Sequence, residues 1–213
     1  MPTGLVLEGG SMRGMFTAGV LDVWMENGVG GFAAAIGVSA GACFGCNLKS
    51  HQPGRAIRYN LRYCADPRYH SLRSLVTSGN LYNAEFCYRR IPFELDPMDL
   101  ETYRADPMEF WAAATNADTG ETVYRRLDRA DERDLEFMRA SASLPIVSRA
   151  VEMEGLRLLD GGMTDGIPLR WMTETRGIPR SVVVLTRPAD YRKQPYGHDR
   201  LFRLLLKQYP AAA

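Results

Sequence analysis

Ser39 lies in Gly37-Val38-Ser39-Ala40-Gly41, directly after the small apolar run Phe32-Ala33-Ala34-Ala35-Ile36. A strand that runs through G-x-S-x-G into a helix must bend sharply, and the bend leaves the serine hydroxyl exposed as a nucleophile. Gly37 and Gly41 let strand and helix approach closely around it. The free N–H groups of the helix start face whatever the serine attacks. Taken alone, the pattern also fits a glycine-rich turn of no catalytic use.

Two further segments add chemistry. Glu8-Gly9-Gly10-Ser11-Met12-Arg13-Gly14 follows the strand-like Leu5-Val6-Leu7 and precedes an amphipathic run from Met15 to Asn27. Glycines between a strand and a helix expose consecutive N–H groups, a cradle for a phosphate or for an oxyanion formed in a reaction. Leu158-Leu159-Asp160-Gly161-Gly162 places a carboxylate at a tight turn after an apolar segment. Nucleophile, anion cradle and carboxylate base together make an acyl-transfer constellation.

With G-G-x-x-R-G, G-x-S-x-G and D-G-G in this order, the chain resembles the patatin-like phospholipases of the bacterial branch. Leu5 to Ala42 and Met138 to Pro168 carry the similarity, including Arg139-Ala140-Ser141-Ala142-Ser143-Leu144-Pro145 before the D-G-G hairpin. Residues 52–108 match less specifically. The resemblance implies a serine–aspartate dyad, Ser39 as nucleophile and Asp160 as base, acting on acyl esters of lipids or phospholipids. It assigns the oxyanion donors to Gly9, Gly10, Ser11 and Ala40, with Gly14, Gly37, Gly41, Gly161 and Gly162 as motif glycines. Ser11 replaces a third glycine common in that loop. Its N–H survives, but a positive φ there would cost more than at glycine.

The elements that must position these residues alternate. Strands are expected at Leu5–Leu7, Ala33–Val38, Phe110–Asn116, Thr122–Arg126 and Ser181–Leu185, with a hairpin over residues 151–158 turning at Glu154-Gly155. Helices are expected at Met15–Asn27, Ala40–Lys49, Arg55–Cys64, Tyr69–Val76, Asp134–Ser141 and Pro168–Arg176. This alternation predicts an α/β fold, a single three-layer α/β/α domain over residues 1–213 with a largely parallel central sheet. The Pro-Ala-Ala-Ala ending leaves open whether the natural chain continues past Ala213.

The remaining candidates each carry two readings. Cys43 and Cys46 form C-x-x-C near a helix start; they are either a redox pair or small residues packing that helix. Cys64 and Cys87 add no second C-x-x-C, so no metal is expected. His198 would complete a Ser…Asp…His order, or it is a solvated surface histidine. Asp165 is a second base candidate, or a cap or turn residue before Pro168. Arg13 contacts a substrate phosphate or anchors its own loop through an ion pair. Residues 200–207 read as a basic amphipathic helix that touches a membrane, or as a helix packed on the sheet.

Composition bounds the rest. A net charge of +1 gives no bulk attraction to nucleic acid. No apolar run reaches the length of a membrane span. No leader is visible at Met1-Pro2-Thr3, and four cysteines without one suggest free thiols, so the expected location is cytoplasmic with peripheral membrane contact. No cofactor is expected. A phosphate-binding reading of Gly9 to Gly14 is weaker, because the loop lacks G-x-x-x-x-G-K-[ST]. A non-catalytic domain of the same fold would have no need of both Ser39 and Asp160.

Overall fold

A computed structural model describes residues 1–192 together with 208, 209 and 211. Seven strands build one sheet: β1 Thr3–Leu7, β2 Ala34–Val38, β3 Glu109–Asn116, β4 Thr122–Arg126, β5 Val151–Met153, β6 Leu156–Asp160 and β7 Arg180–Val184. The helices are α1 Gly14–Glu26, α2 Ala40–Lys49, α3 Arg55–Tyr63, α4 Leu72–Ser78, α5 Leu100–Ala105 and α6 Glu132–Ser141. Two wider helical segments, Phe86–Leu95 and Trp171–Thr175, are wound with bonds five residues apart, as in Asp96 N–H to Ile91 O and Arg176 N–H to Trp171 O.

Strand order is β5-β6-β3-β2-β1-β7, with β4 also paired to β3. The half β7-β1-β2-β3 is parallel, as the alternation of strands and helices predicts. Beyond β3 every pairing is antiparallel. Strand side chains alternate between faces. Leu5, Leu7, Ala35, Phe110, Ala112 and Ala114 pack toward α1, α2 and α6, through Leu21, Cys46, Leu48 and Phe137. Val6, Ala34 and Ile36 pack on the other face against Trp171, Met172 and Ile178. The fold is thus three-layered α/β/α, although the second helical layer among the described residues is the single short segment around Trp171.

The register at β3 brings two distant strands end to end. Residues 111–113 of β3 pair with both β2 and β4, so those two lie on opposite edges. Residues 114–115 pair with both β4 and β6, so β6 shares the edge that β2 occupies. β2 stops at Val38 opposite Ala113, and β6 stops at Asp160 opposite Ala114. The strand that leads to Ser39 and the strand that carries Asp160 therefore finish at adjacent positions on one edge.

Of the boundaries that differ from expectation, two helix starts have a local cause. The helix expected from Tyr69 begins at Leu72, because the Ser71 hydroxyl caps it by accepting the Ser74 N–H and His70 is bridged to Tyr82. The helix expected from Asp134 begins at Glu132, because Asp131 accepts the N–H groups of Arg133 and Asp134.

Candidate active site

The elbow is built by close approach. A Cβ at Gly37 would lie 2.4 Å from the Ala42 nitrogen, and one at Gly41 would lie 2.3 Å from the Leu7 carbonyl oxygen. No side chain fits either position, which holds α2 hard against the ends of β1 and β2. Ser39 caps α2 with φ 54° and ψ −123°, a conformation that costs a non-glycine residue about 1–3 kcal/mol. Its N–H donates to the Ser141 hydroxyl at 2.8 Å in the buried interior. That bond takes up the serine's own amide and leaves Ala40, in the first turn of α2, to present a free N–H.

Asp160 ends β6 and is 7% exposed. Its N–H donates to the Ser143 carbonyl at 2.9 Å, its carbonyl accepts the Thr115 hydroxyl at 2.8 Å, and its Oδ1 accepts the Gly162 N–H at 2.8 Å. The carboxyl opens into the same cleft as Ser39, near enough for the serine to act on its titration, although no hydrogen bond joins the two side chains. Burial pushes its pKa up to about 6, against the pull of the Gly162 N–H and of the neighbouring Ser39. The structure thus brings Ser39 and Asp160 together.

The loop after β1 lies over the elbow, where a Cβ at Gly9 would sit 3.2 Å from the Ser39 Cβ. Among the described residues, no turn or loop bond engages the N–H of Gly9 or Gly10. The loop is tied down from behind. Glu8 Oε2 accepts the Thr186 N–H at 2.5 Å, and the Thr186 hydroxyl lies 3.0 Å from the Gly9 carbonyl. Ser11 adopts φ 52°, so the backbone cost that a serine incurs at this position is present.

The other candidates separate. Asp165 is not the cap of the helix after Pro168: its Oδ2 accepts the Tyr124 hydroxyl at 2.6 Å, and Tyr124 stacks on Trp171. His51 pairs with Asp106 at the far end of α2, and His70 packs against Tyr69 and Tyr82. His198 and the 200–207 segment lie outside the described residues. Arg13 is exposed and forms no ion pair among the described residues; its guanidinium packs over Gly10 and lines the cleft. Cys43 and Cys46 are free thiols whose pKa values burial pushes up to about 11 and about 12, and they pack α2 against two core clusters. No cluster of three or more metal-ligating side chains occurs among the described residues.

Ser39, Asp160, Gly9 and Gly10 open into one cleft of about 970 Å³. One part of its wall comes from the segment that the sequence left least determined, including Tyr69, Tyr82, Cys87, Tyr88 and Ile91. Met12, Leu144, Ile167 and Leu185 line it with 40–48% of their surface exposed. Sequence reasoning missed Glu8, Thr186 and Ser141. Only Ser141 left a signal, as a polar residue in a stretch of small residues at a helix end.

A family model described as patatin-like phospholipase matches residues 5–171. The chain is 32% identical over 217 residues to the uncharacterized protein YjjU of Escherichia coli (strain K12), covering 94% of this chain and 56% of that protein. The chain therefore spans little more than half the length of that relative. Among solved structures it is similar to VipD from Legionella pneumophila, with a TM-score of 0.46 and 15% identity over 77% of this chain and 46% of the other.

Proposed function

The chain belongs to the patatin-like phospholipase family, and on that premise we propose that it is a serine acyl hydrolase of lipid esters that works through Ser39 and Asp160 alone. Ser39 Oγ attacks the ester carbonyl while its proton passes to the Asp160 carboxylate. The carbonyl oxygen becomes an oxyanion held by N–H groups of Gly9, Gly10 and Ala40, with Ser11 at the loop's edge. The tetrahedral intermediate collapses, and the leaving alcohol takes the proton from Asp160. Water then attacks the acyl-enzyme and gives its proton to Asp160, which returns it to Ser39 Oγ as the carboxylic acid product leaves.

One observation carries this reading. A buried carboxyl, its pKa pushed up to about 6, opens into the same cleft as a serine held on a strained elbow. Neither histidine among the described residues offers an alternative base there. The apolar residues at the cleft support a lipid acyl chain as occupant, and the exposed Arg13 supports a phosphate on the alcohol side. The domain extends past the family match, because β7 pairs with β1 and completes the sheet that carries the site. Among the described residues no helix is long and apolar enough to cross a membrane.

The test is fluorophosphonate labelling with mapping of the labelled residue, combined with hydrolysis of short-chain esters and phospholipid vesicles. Labelling at Ser39, with ester hydrolysis lost in Ser39→Ala, supports the reading. Label on another residue, or full activity in that variant, overturns it.

A further inference from the structure

We propose that the end of α6 is a clamp that sets the distance between Ser39 and Asp160, with Ser141 as its positioning residue. The proposal rests on the Ser39–Asp160 reading above and goes beyond it, since Ser141 touches no substrate. Two hydrogen bonds carry it. The Ser141 hydroxyl accepts the Ser39 N–H at 2.8 Å, and the Ser143 carbonyl, two residues on, accepts the Asp160 N–H at 2.9 Å. One short stretch of chain thus grips both residues from behind.

The clamp is rigid where it must be. Ser141 is fully buried, and Ser143 is 2% exposed with its hydroxyl donating to the Arg139 carbonyl, which fixes the helix end. Ser39 needs the help. Its backbone lies in a strained region, and its N–H is turned out of the helix that it caps. A buried amide without an acceptor would force the elbow to shift to find one. The strands cannot provide this restraint. β2 and β6 meet end to end on β3 without pairing to each other, so nothing in the sheet ladder ties Ser39 to Asp160 directly. The requirement at position 141 is specific. An acceptor short enough to sit beside the elbow is needed, and alanine cannot provide it.

The test compares Ser141→Ala with Ala140→Gly. Ala140 is equally buried in the same helix but is not part of the cleft wall. Ser141→Ala should lower kcat by roughly 10- to 100-fold, with KM changed by less than about twofold, since binding is untouched and geometry is lost. Ala140→Gly should lose comparable stability by thermal melting and keep kcat within about twofold. The acid limb of the rate profile should also move to higher pH in Ser141→Ala, because the Ser39 side chain, which favours the charged carboxylate, is held less closely to it.

A second readout does not depend on activity. In the wild type the Ser39 amide should be strongly protected from hydrogen exchange, and in Ser141→Ala it should exchange at least about tenfold faster. Unchanged kcat in a folded Ser141→Ala, equal losses in the two variants, or unchanged exchange at Ser39 each overturn the clamp. A wild-type protein that hydrolyses no ester overturns the catalytic reading instead, and amide exchange at Ser39 then decides the clamp by itself.

Discussion

The parallel and antiparallel halves of the sheet contribute to the site in different ways. The parallel half supplies the turns. β1 leads into the glycine loop and β2 into the elbow, and both place backbone N–H groups at helix starts. The antiparallel half supplies one side chain, Asp160, on a hairpin strand that reaches the same edge of β3. The elbow needs close packing, and Gly37 and Gly41 tolerate no added Cβ. Asp160, in the proposed role of proton acceptor, needs burial instead, which lifts its pKa.

Four substitutions break or sharpen that contrast. The largest effect belongs to Ser39→Ala, which should reduce ester hydrolysis by about 10³-fold or more while the circular dichroism spectrum is kept. Residual activity near wild type would remove the elbow from the chemistry. Asp160→Asn comes next, with a loss on the order of 10²- to 10³-fold. Its stability signature runs the other way. The folded protein holds the Asp160 proton more tightly than the unfolded chain, so that stability is full below the ordinary value of 3.8 and lost as pH rises through about 6. Asp160→Asn should therefore raise Tm relative to wild type at pH 8 and have little such effect at pH 4; a pH-independent difference would rule out an elevated pKa.

Gly10→Val tests the main-chain half. Its φ of 151° and the Arg13 and Thr186 atoms near its Cβ position exclude a branched side chain. Turnover should fall by about 100-fold in a folded protein, and unchanged turnover would place the oxyanion donors elsewhere. Asp165→Asn gives the smallest effect. It weakens the Tyr124 bond by about 1 kcal/mol and should leave turnover within about threefold. A loss as deep as that of Asp160→Asn would make Asp165 the base. In the wild type, log kcat/KM should rise with pH to a plateau above about 6, read from a profile with a soluble ester.

The two halves of the chain were not equally legible in the sequence. The strand–glycine–helix turns could be read because local spacing dictates their geometry. β2 and α2 begin within a residue of where the pattern places them, and the strand ending at Asp160 emerged from its hairpin. The cleft wall could not be read in the same way. Phe86–Leu95 stays helical through Pro92 with the wide winding of five-residue bonds, which a regular helical period does not reveal. The Glu8–Thr186 and Ser39–Ser141 bonds join residues 178 and 102 positions apart, which no local pattern encodes.

The meeting of β2 and β6 on one edge of β3 also bears on when the site comes into being. β1, β2 and α2 are made early in synthesis. Asp160 and its grip from α6 arrive more than a hundred residues later, and Thr186 after that. Contacts of that sequence separation form late, because the intervening loop must close before they are rewarded. A nascent or partly folded chain can hold the elbow and its serine while lacking Asp160, so under the proposed mechanism hydrolytic competence should coincide with completion of the sheet.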